Sequence, residues 1–398
     1  MNKESNNAVL ELNNFLSQNN KKVNDWLDSK TLETTPVYSS VDIRNAGFKI
    51  APVDTNLFPS GFNNLGVDSI GLAIQYFNVF FKKHFPEVKR LAVVVEAFTR
   101  NANYLDHLKV LLKILNNTGL EIKFVSLHGE SSDYAKDMGV EIFQAKRSGR
   151  TLTVSKNWIP ELVLLNNDLT EEVPNELMDL TIPVLPDIKY GWHSRKKSCH
   201  YYEYNELVKQ FCQEFSIDPW IISTYFTQCE NVSFKMKEGL ECIAHNVDKL
   251  VVKIQQKYNE YHIKEEPVVF IKANNGTFGR GIISVRNGEE ILNINKKLRN
   301  SLDVIKGSVT NSQVVIQESI STIEMIENYH AENIIYMVDR KAVGKFARYN
   351  IHKGVSHNLN SRGMFFAPSS MAMMPSEVFT STLATIAVAY ENIEYTHE

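Results

Sequence analysis

The 398-residue sequence has few of the features that mark zinc-binding, membrane or nucleic-acid-binding proteins. Its formal net charge is only -3, so it offers no basic stripe of the kind that contacts nucleic acid. No apolar run approaches the roughly 18 residues of a membrane span, and the N-terminus lacks the pattern of a secretory signal. The four cysteines include no CxxC pair, which argues against a metal site or structural disulfides. These absences predict a cytoplasmic protein that binds neither membrane nor nucleic acid.

What is present predicts a globular protein of two or three domains, because 398 residues exceed one ordinary core. Apolar residues at helical spacing over 8–28 predict an amphipathic helical start. Residues 34–66 break this periodicity with prolines and glycines. We predict a long, mostly irregular segment here, and its apolar content argues against disorder.

Strands and helices alternate after that segment. Residues 91–96 (LAVVVE), 121–127 and 161–168 predict strands, and 104–119 predict a helix. This rhythm is typical of a parallel α/β sheet. Beyond residue 191 the pattern changes to two helices, a series of strands from Val268 and a final helix. We therefore divide the chain into a helical segment 1–33, an α/β domain 34–190 and a second unit 191–398.

A glycine-rich stretch in the second unit, IKANNGTFGRGIISV (271–285), allows several interpretations. A P-loop requires a lysine after its glycines at the start of a helix, and none follows here. A dinucleotide fingerprint requires GxGxxG before a helix, whereas this loop has GxxGxG and returns to a strand. A hairpin flap fits better, because glycine amides can approach a phosphate while Lys272 adds a charge from the strand. A plain glycine-containing hairpin remains the structural alternative.

The residues downstream favour the phosphate interpretation. The strand QVVIQES ends at Gln317 and Glu318, which can present backbone groups to an adenine edge and a carboxylate to a ribose. Arg348 follows, and a planar guanidinium suits phosphate and carboxylate oxygens. Asn358 and Asn360 supply amide oxygens of the type that Mg²⁺ binds. This order predicts phosphoryl transfer from ATP to a carboxylate.

The sequence here resembles the ATP-grasp superfamily. Residues 337–363 (MVDRKAVGKFARYNIHKGVSHNLNSRG) are similar to the matching region of bacterial glutathione synthetases in order and spacing. A narrower resemblance, to the proteobacterial glutamate–cysteine ligase family, covers most of the chain. It rests on the blocks SVDIRNAGFKIAPVDTNLFPSGFNNL (40–65), GWHSRKKSCHYYEYN (191–205), IDPWII (217–222), IKANNGTFGRGI (271–282) and HNLNSRGMFF (357–366).

The resemblance implies an α/β fold, with an N-terminal parallel α/β (pre-ATP-grasp-like) domain before a C-terminal ATP-grasp α+β unit. Its flap subdomain would span about 235–315. The implied chemistry requires ATP and Mg²⁺: ATP phosphorylates the γ-carboxylate of glutamate, and the cysteine amine attacks the acyl phosphate. The product, γ-glutamylcysteine, begins glutathione biosynthesis. The alternatives are another ATP-grasp carboxylate–amine ligase, such as a glutathione synthetase-like enzyme, and a nucleotide-binding protein without catalysis. A homo-oligomer remains open.

Roles for individual residues follow from the motifs and the resemblance together. Lys272 and Arg348 are the expected catalytic residues, against a solvated strand-end lysine and a surface salt bridge as alternatives. The pattern of glutathione synthetases places metal ligands at Glu332, Asn358 and Asn360. The expected ATP ligands are Lys272, Gly276, Thr277, Gly279, Gly281, Gln317 and Glu318.

The segment 40–65 is the candidate amino-acid site, because binding residues are common on loops of this kind. Arg44 would bind a carboxylate and Asp54 an ammonium group. Further candidates are Asn56 and Asn63 in the loop, and Arg100 and Asn101 at the carboxyl edge of the parallel sheet. The alternative is a structural loop whose arginines cap carbonyls.

Two further features concern the basic run and the departures from the family. We predict that Arg195, Lys196 and Lys197 form a solvated face, with a substrate contact by one of them left open. The family tends to carry a histidine at the position of Phe98 and is usually more acidic around Asn274 and Asn275.

Overall fold

The computed structural model describes residues 7–96, 100–127, 129, 133–155, 158–234, 237–275, 282–295, 298–299, 312–369 and 372–391. This part of the chain is a mixed α/β structure with nine α helices and three β sheets. The helices are α1 (Ala8–Gln18), α2 (Asn20–Ser29), α3 (Val67–His84), α4 (Ala102–Asn116), α5 (Asp133–Asp137), α6 (Lys197–Phe215), α7 (Lys237–Glu260), α8 (Gly288–Leu292) and α9 (Pro375–Val388). None of the helices in these ranges is long and apolar enough to cross a membrane.

The strands alternate with these helices along the chain. They are β1 (Tyr38–Asn45), β2 (Ile50–Asn56), β3 (Arg90–Val95), β4 (Glu121–Ser126), β5 (Ile142–Ser148), β6 (Thr151–Val154), β7 (Leu162–Asn166), β8 (Val184–Leu185), β9 (Phe226–Cys229), β10 (Val269–Ala273), β11 (Ile283–Val285), β12 (Val314–Glu318), β13 (Met325–Ile326), β14 (Tyr329–Val338), β15 (Lys341–Asn350) and β16 (Met364–Pro368).

The predicted parallel sheet is confirmed. Its strand order is β6-β5-β4-β3-β7-β8, and all neighbours pair in parallel except β6, which is antiparallel to β5. The central strands β3 and β7 are almost wholly buried, as expected where both faces of a parallel sheet are covered. The predicted helix 104–119 corresponds to α4.

The prediction of an irregular segment at 34–66 is wrong. Residues 38–56 form an antiparallel hairpin, β1 and β2, with Gly47 in its turn at φ 79°. Pro52 is tolerated because β2 is the last strand of its sheet and the register shifts beside it, between Asp42 and Ile43. The alternation of apolar and polar residues in VDIRN (41–45) is the sequence feature that indicates a strand here.

The hairpin joins strands from the last third of the chain. β1 pairs with β14, giving a central antiparallel sheet of order β16-β15-β14-β1-β2. The almost entirely buried helix α9 packs against this sheet and against α1 and α6. The division of the chain at residues 33 and 190 stays a prediction, although this pairing unites residues on both sides of it.

The third sheet contains the predicted phosphate-binding strand. Its order is β11-β10-β12-β9, all antiparallel, and α7 packs on it. Lys272 lies on β10 opposite Val315 of β12. The hairpin return from β10 to β11 confirms that this loop does not open a helix. The predicted ligands Gly276, Thr277, Gly279 and Gly281 lie outside the described residues, as does Phe98.

Candidate active site

One face of the central sheet carries a cluster of three carboxylates and two guanidinium groups: Asp42, Arg44, Asp54, Glu332 and Arg348. We call this set the charged face. Asp42 lies directly opposite Asp54, and Glu332 lies directly opposite Arg348. Residues two apart on a strand, such as Asp42 and Arg44, project to the same side. The alternation of side chains along each strand and the register between strands therefore place charged side chains from four strands on one face of the central sheet.

Glu332 joins two guanidinium groups within this face. Its Oε2 accepts from Arg44 Nε at 2.7 Å, and its Oε1 accepts from Arg348 Nη1 at 2.9 Å. Burial alone would raise the pKa of Glu332, but the two arginines hold it below its usual value. The carboxylate is therefore ionised and firmly bound at neutral pH.

Arg348 also pairs with Asp42, through Nη2 and Oδ2 at 2.8 Å. Burial raises the pKa of Asp42 to about 6; Arg348 lowers it without cancelling the effect of burial, and the charges of Glu332 and Asp54 raise it further. The Nε of Arg348 is buried and has no hydrogen-bond partner in the described part of the chain. The guanidinium is thus fixed by two carboxylates, while its Nε–H has no partner among the described residues. The alternative of a surface salt bridge is wrong, since Arg348 is buried.

The N–H donors of Arg44 bind oxygen atoms of the protein itself. Besides Glu332, it donates to the carbonyl oxygens of Ile320 at 3.1 Å and His357 at 2.6 Å. The side chain is 2% exposed. These contacts match the alternative in which an arginine caps carbonyls. Binding of a substrate carboxylate by Arg44 stays a prediction, and none of the described contacts supports it.

The outer edge of β2 is covered by basic and phenolic side chains. Val53 O accepts from Lys272 Nζ at 3.0 Å and from the Tyr201 hydroxyl at 2.6 Å. Two residues along, Thr55 O accepts from Arg195 Nη1 at 2.8 Å. Because β2 has no neighbouring strand on this side, these side chains satisfy carbonyls that would otherwise lack partners.

Asp54, between those two carbonyls, pairs with Lys197. Lys197 Nζ lies 2.7 Å from Asp54 Oδ1 and 4.1 Å from the centre of the Trp192 ring. Burial would raise the pKa of Asp54, but Lys197 and Lys272 outweigh it and hold the pKa below its usual value. The side chain of Asp54 is 40% exposed, so its ionised carboxylate remains accessible to an ammonium group.

The predicted solvated face at 195–197 is wrong for two of its three residues. Arg195 and Lys197 are buried, and Arg195 forms a bidentate pair with Glu391 at 2.8 and 2.9 Å. The run precedes and enters the first turn of α6, which faces β2 rather than solvent. Lys197, one of the three residues for which the sequence left a substrate contact open, is the one that pairs with Asp54 of the charged face.

Lys272 is buried, at 6% exposure, so the alternative of a solvated strand-end lysine is wrong. Its Nζ donates to two neutral oxygens, of Val53 and of Tyr201, the latter at 2.8 Å. Burial lowers the pKa of Lys272 to about 7, and Asp54 only partly counteracts this. A buried ammonium without a directly bonded carboxylate is well suited to receive an anionic ligand.

Gln317 and Glu318, the predicted contacts to adenine and ribose, have different environments. Glu318 is buried, with Oε2 2.7 Å from Lys49 Nζ and Oε1 3.2 Å from Trp220 Nε1, so both its oxygens are occupied. Burial lowers the pKa of Lys49 to about 8 despite this pairing. Gln317 contacts the Tyr201 hydroxyl at 3.3 Å, and its Nε2 is buried without a partner among the described residues. A ribose contact by Glu318 stays a prediction.

The remaining substrate candidates serve local structure where contacts are described. The Asn56 side chain bonds the backbone of Phe58 at 3.1 and 3.3 Å. Asn101 caps α4 by accepting from Asn103 N at 3.1 Å. Asn63 lies in a short 3-10 turn and is half-buried, and Arg100 is exposed. Their substrate roles stay predictions.

Asn274 has a structural explanation. It is fully buried, and its Oδ1 accepts from Ser198 N at 2.9 Å while its Nδ2 donates to Ser198 Oγ at 2.9 Å. Its backbone carbonyl accepts from Lys197 N at 2.7 Å. Asn274 thus caps the N-terminus of α6 from a different part of the chain. An amide meets both needs, because it accepts and donates at once.

The predicted metal ligands do not form a preassembled ion site. Each oxygen of Glu332 faces a guanidinium, and a dication there would meet like charge. Asn358 bonds Asn360 locally, with Oδ1 accepting at 3.0 Å and Nδ2 donating at 3.2 Å. Across the described ranges no group of three or more His, Cys, Asp or Glu side chains is arranged to hold a metal.

Two comparisons with known proteins identify the same family. The family model "GshA: Glutamate-cysteine ligase" matches residues 13–390. A solved structure from Methylobacillus flagellatus, of a protein provisionally named gamma-glutamylcysteine synthetase, is 34% identical and superimposes with a TM-score of 0.88. That alignment covers 97% of this chain and 96% of the other. The search of curated proteins gave no significant match.

A second solved structure is much more distant. D-alanyl-alanine synthetase A from Vibrio cholerae is 10% identical and aligns with a TM-score of 0.37, over 77% of this chain and 82% of the other.

Proposed function

Because the chain belongs to the glutamate–cysteine ligase family, we propose that its charged face and the covered edge of β2 together form the site where glutamate is activated by ATP and joined to cysteine. The protein is an ATP-dependent ligase of the glutathione pathway. The proposed route is phosphorylation of the γ-carboxylate of glutamate, attack of the cysteine amine on the acyl phosphate, and release of phosphate. The cytoplasm is the proposed compartment.

The observation that carries this proposal is the convergence of buried cations on one region of β2. Arg195, Lys197 and Lys272 all contact residues 53–55, and Arg348 lies on the same sheet face, bound to Asp42 opposite Asp54. Transfer of a phosphoryl group to a carboxylate brings two anions together, and fixed positive groups stabilise the charge that develops. No enzyme nucleophile is required.

We assign roles according to the donors that remain available. Lys272 would bind phosphate oxygens, because its ammonium has only neutral partners. Arg348 would direct its free Nε toward the acyl phosphate. Asp54, ionised and partly exposed, would bind the ammonium group of an amino-acid substrate. The sequence predicts the same roles for these three residues, whereas Arg44 and Glu318 are better explained as parts of the scaffold.

We also propose the ATP-grasp layout and a magnesium requirement. The antiparallel third sheet, with Lys272 facing β2 of the central sheet, is consistent with an ATP-grasp unit over 191–398 and a pre-ATP-grasp-like unit over 34–190. Mg²⁺ is bound in proteins by one or two carboxylates together with substrate phosphates. Glu332, Asn358 and Asn360 stay candidates, but as arranged they do not fit a preformed site, and no step here depends on them.

The test is the choice of acceptor. Purified protein with glutamate and ATP should release phosphate and form γ-glutamylcysteine when cysteine is supplied. Replacing glutamate and cysteine by γ-glutamylcysteine and glycine should give little phosphate. Equal turnover with the second pair would instead identify a glutathione synthetase-like ligase. No phosphate release with either pair would favour a nucleotide-binding protein without catalysis.

A further inference from the structure

The ammonium group of Lys272 is held at one end by two oxygens. Nζ donates to Val53 O at 3.0 Å and to the Tyr201 hydroxyl at 2.8 Å. An ammonium has three N–H donors. The third has no hydrogen-bond partner in the described part of the chain. Two fixed contacts therefore determine where the remaining donor points.

Tyr201 is itself rigidly placed. Its hydroxyl donates to Val53 O at 2.6 Å, leaving its oxygen lone pairs to accept from Lys272. The ring is buried, packs against Phe226 with centroids 5.6 Å apart, and lies 5.1 Å from Lys272 Nζ. Tyr201, Val53 and Lys272 thus form a closed triangle of hydrogen bonds between α6, β2 and β10.

We propose that Tyr201 is a positioning residue that holds Lys272 protonated and directed toward the nucleotide phosphates. It would act by accepting a hydrogen bond from the ammonium form and by fixing the position of Nζ against Val53 O. Tyr201 itself would not contact the reacting atoms. This inference rests on the proposed role of Lys272 as a phosphate ligand.

The charges around Lys272 explain why a neutral acceptor matters. Asp54 of β2, Asp42 of β1 and Glu332 of β14 favour the ammonium form, whereas Lys197 of α6 disfavours it. None of the three carboxylates forms a direct ion pair with Nζ among the described contacts. Besides these charges, the only described groups that contact Nζ directly are the Val53 and Tyr201 oxygens, and their hydrogen bonds add to the support for the ammonium form. Removing the Tyr201 oxygen should lower its pKa further below about 7.

The experiment is the affinity of the full-length protein for ADP, measured by calorimetry from about pH 6 to about pH 8. If Tyr201→Phe lowers the pKa of Lys272 by about one unit, ADP binding should weaken about tenfold at pH 8 but only about twofold at pH 6. The ratio of variant to wild-type Kd at each pH cancels the titration of ADP itself. A merely structural defect would weaken binding equally at both pH values.

Tyr204→Phe is the matched control. Tyr204 lies on the same helix, is fully buried and donates to a backbone carbonyl, Ile222 O, at 2.8 Å. It should lose a buried hydrogen bond of the same kind without any change in the pH dependence of ADP binding. Lys272→Met should weaken ADP binding at every pH, and adding Tyr201→Phe to it should have no further effect.

The outcomes distinguish a failure of the role inferred for Tyr201 from a failure of the proposed function. Weakened binding in Lys272→Met, together with Tyr201→Phe binding that matches wild type or falls equally at all pH values, would overturn the positioning role and leave the proposed function standing. Unchanged ADP binding in Lys272→Met would instead show that Lys272 is not a nucleotide ligand.

Discussion

Glu332 provides the sharpest test of how the charged face is held together. The substitution Glu332→Gln removes one negative charge from between two buried guanidinium groups while nearly preserving side-chain shape. In the native structure Glu332 Oε2 and Arg44 Nε are 2.7 Å apart, and Glu332 Oε1 and Arg348 Nη1 are 2.9 Å apart. After the substitution Arg348 keeps Asp42, but Arg44 keeps only backbone carbonyls.

The expected loss follows from the burial of all three groups. Removing one partner of a buried ion pair typically costs about 3–5 kcal/mol, because the other charge is left uncompensated. Glutamine still offers one carbonyl oxygen, so we expect the free energy of unfolding to fall by about 3 kcal/mol. The matched control is Asp28→Asn, which breaks a carboxylate–arginine pair with Arg340 at 3.0 Å where Asp28 is 64% exposed. Exposed pairs contribute about 0–1 kcal/mol.

Urea unfolding, followed by tryptophan fluorescence and far-UV circular dichroism, measures both variants. Coincident transitions justify a two-state treatment, and an unchanged slope assigns the midpoint shift to stability. A loss in Glu332→Gln no larger than in Asp28→Asn would refute the argument from burial. Unchanged stability combined with weakened ligation that excess Mg²⁺ restores would identify Glu332 as a metal ligand instead.

The pH dependence of the same measurement has a defined sign. Although burial would raise the pKa of Glu332, Arg44 and Arg348 hold it below its usual value. A carboxylate with a depressed pKa stabilises the folded state above its unfolded pKa, about 4.3, and loses this contribution as the pH falls through the folded pKa. The stability difference between wild type and Glu332→Gln should therefore be constant above about pH 7, where Asp42 is ionised as well, and should shrink below about pH 4.

Three further predictions follow from individual contacts. Glu318→Gln should lower the free energy of unfolding by about 3 kcal/mol in urea titrations, because it leaves the buried Lys49 unpaired; intact stability with lost ADP affinity would show that Glu318 serves the ribose. Asn274→Ala should lower the free energy of unfolding by about 1 kcal/mol in the same assay, because it removes the cap of α6. Asn274→Asp should lower it less, because aspartate retains the acceptor oxygen; equal losses would contradict the capping role. Lys197→Met should raise the KM of an amino-acid substrate more than that of ATP in steady-state assays, because Asp54 loses the contact that orients its carboxylate; a change confined to the KM of ATP would contradict this.

Local sequence pattern was sufficient for much of the fold. The buried runs at 91–96 and 161–168 are long and apolar enough to identify the parallel strands β3 and β7. The lysine-first order around Lys272 separated a hairpin from a helix-opening loop. In both cases the signal lies within a few neighbouring residues, so periodicity and turn chemistry are enough.

The hairpin of β1 and β2 shows where local pattern fails. Its strands are stabilised by pairing with β14, almost 300 residues away, and its prolines and glycines suggested a loop. Arg44 and Glu332 had both been identified as site residues, but nothing in either segment indicates that they bond each other. Pairing across such separations depends on tertiary packing, which overrides local preference.

The outer edge of β2 explains why basic residues predicted to be solvated are buried. An open strand edge presents unpaired carbonyls and invites association with other strands, so proteins cover it. Here Arg195, Tyr201 and Lys272 supply the donors, and Lys197 neutralises Asp54 beside them. Burying cations is costly unless they find oxygen partners, and the strand edge provides them. These contacts also place positive charge where the proposed reaction needs it. One set of contacts therefore covers the edge of the sheet and assembles the site.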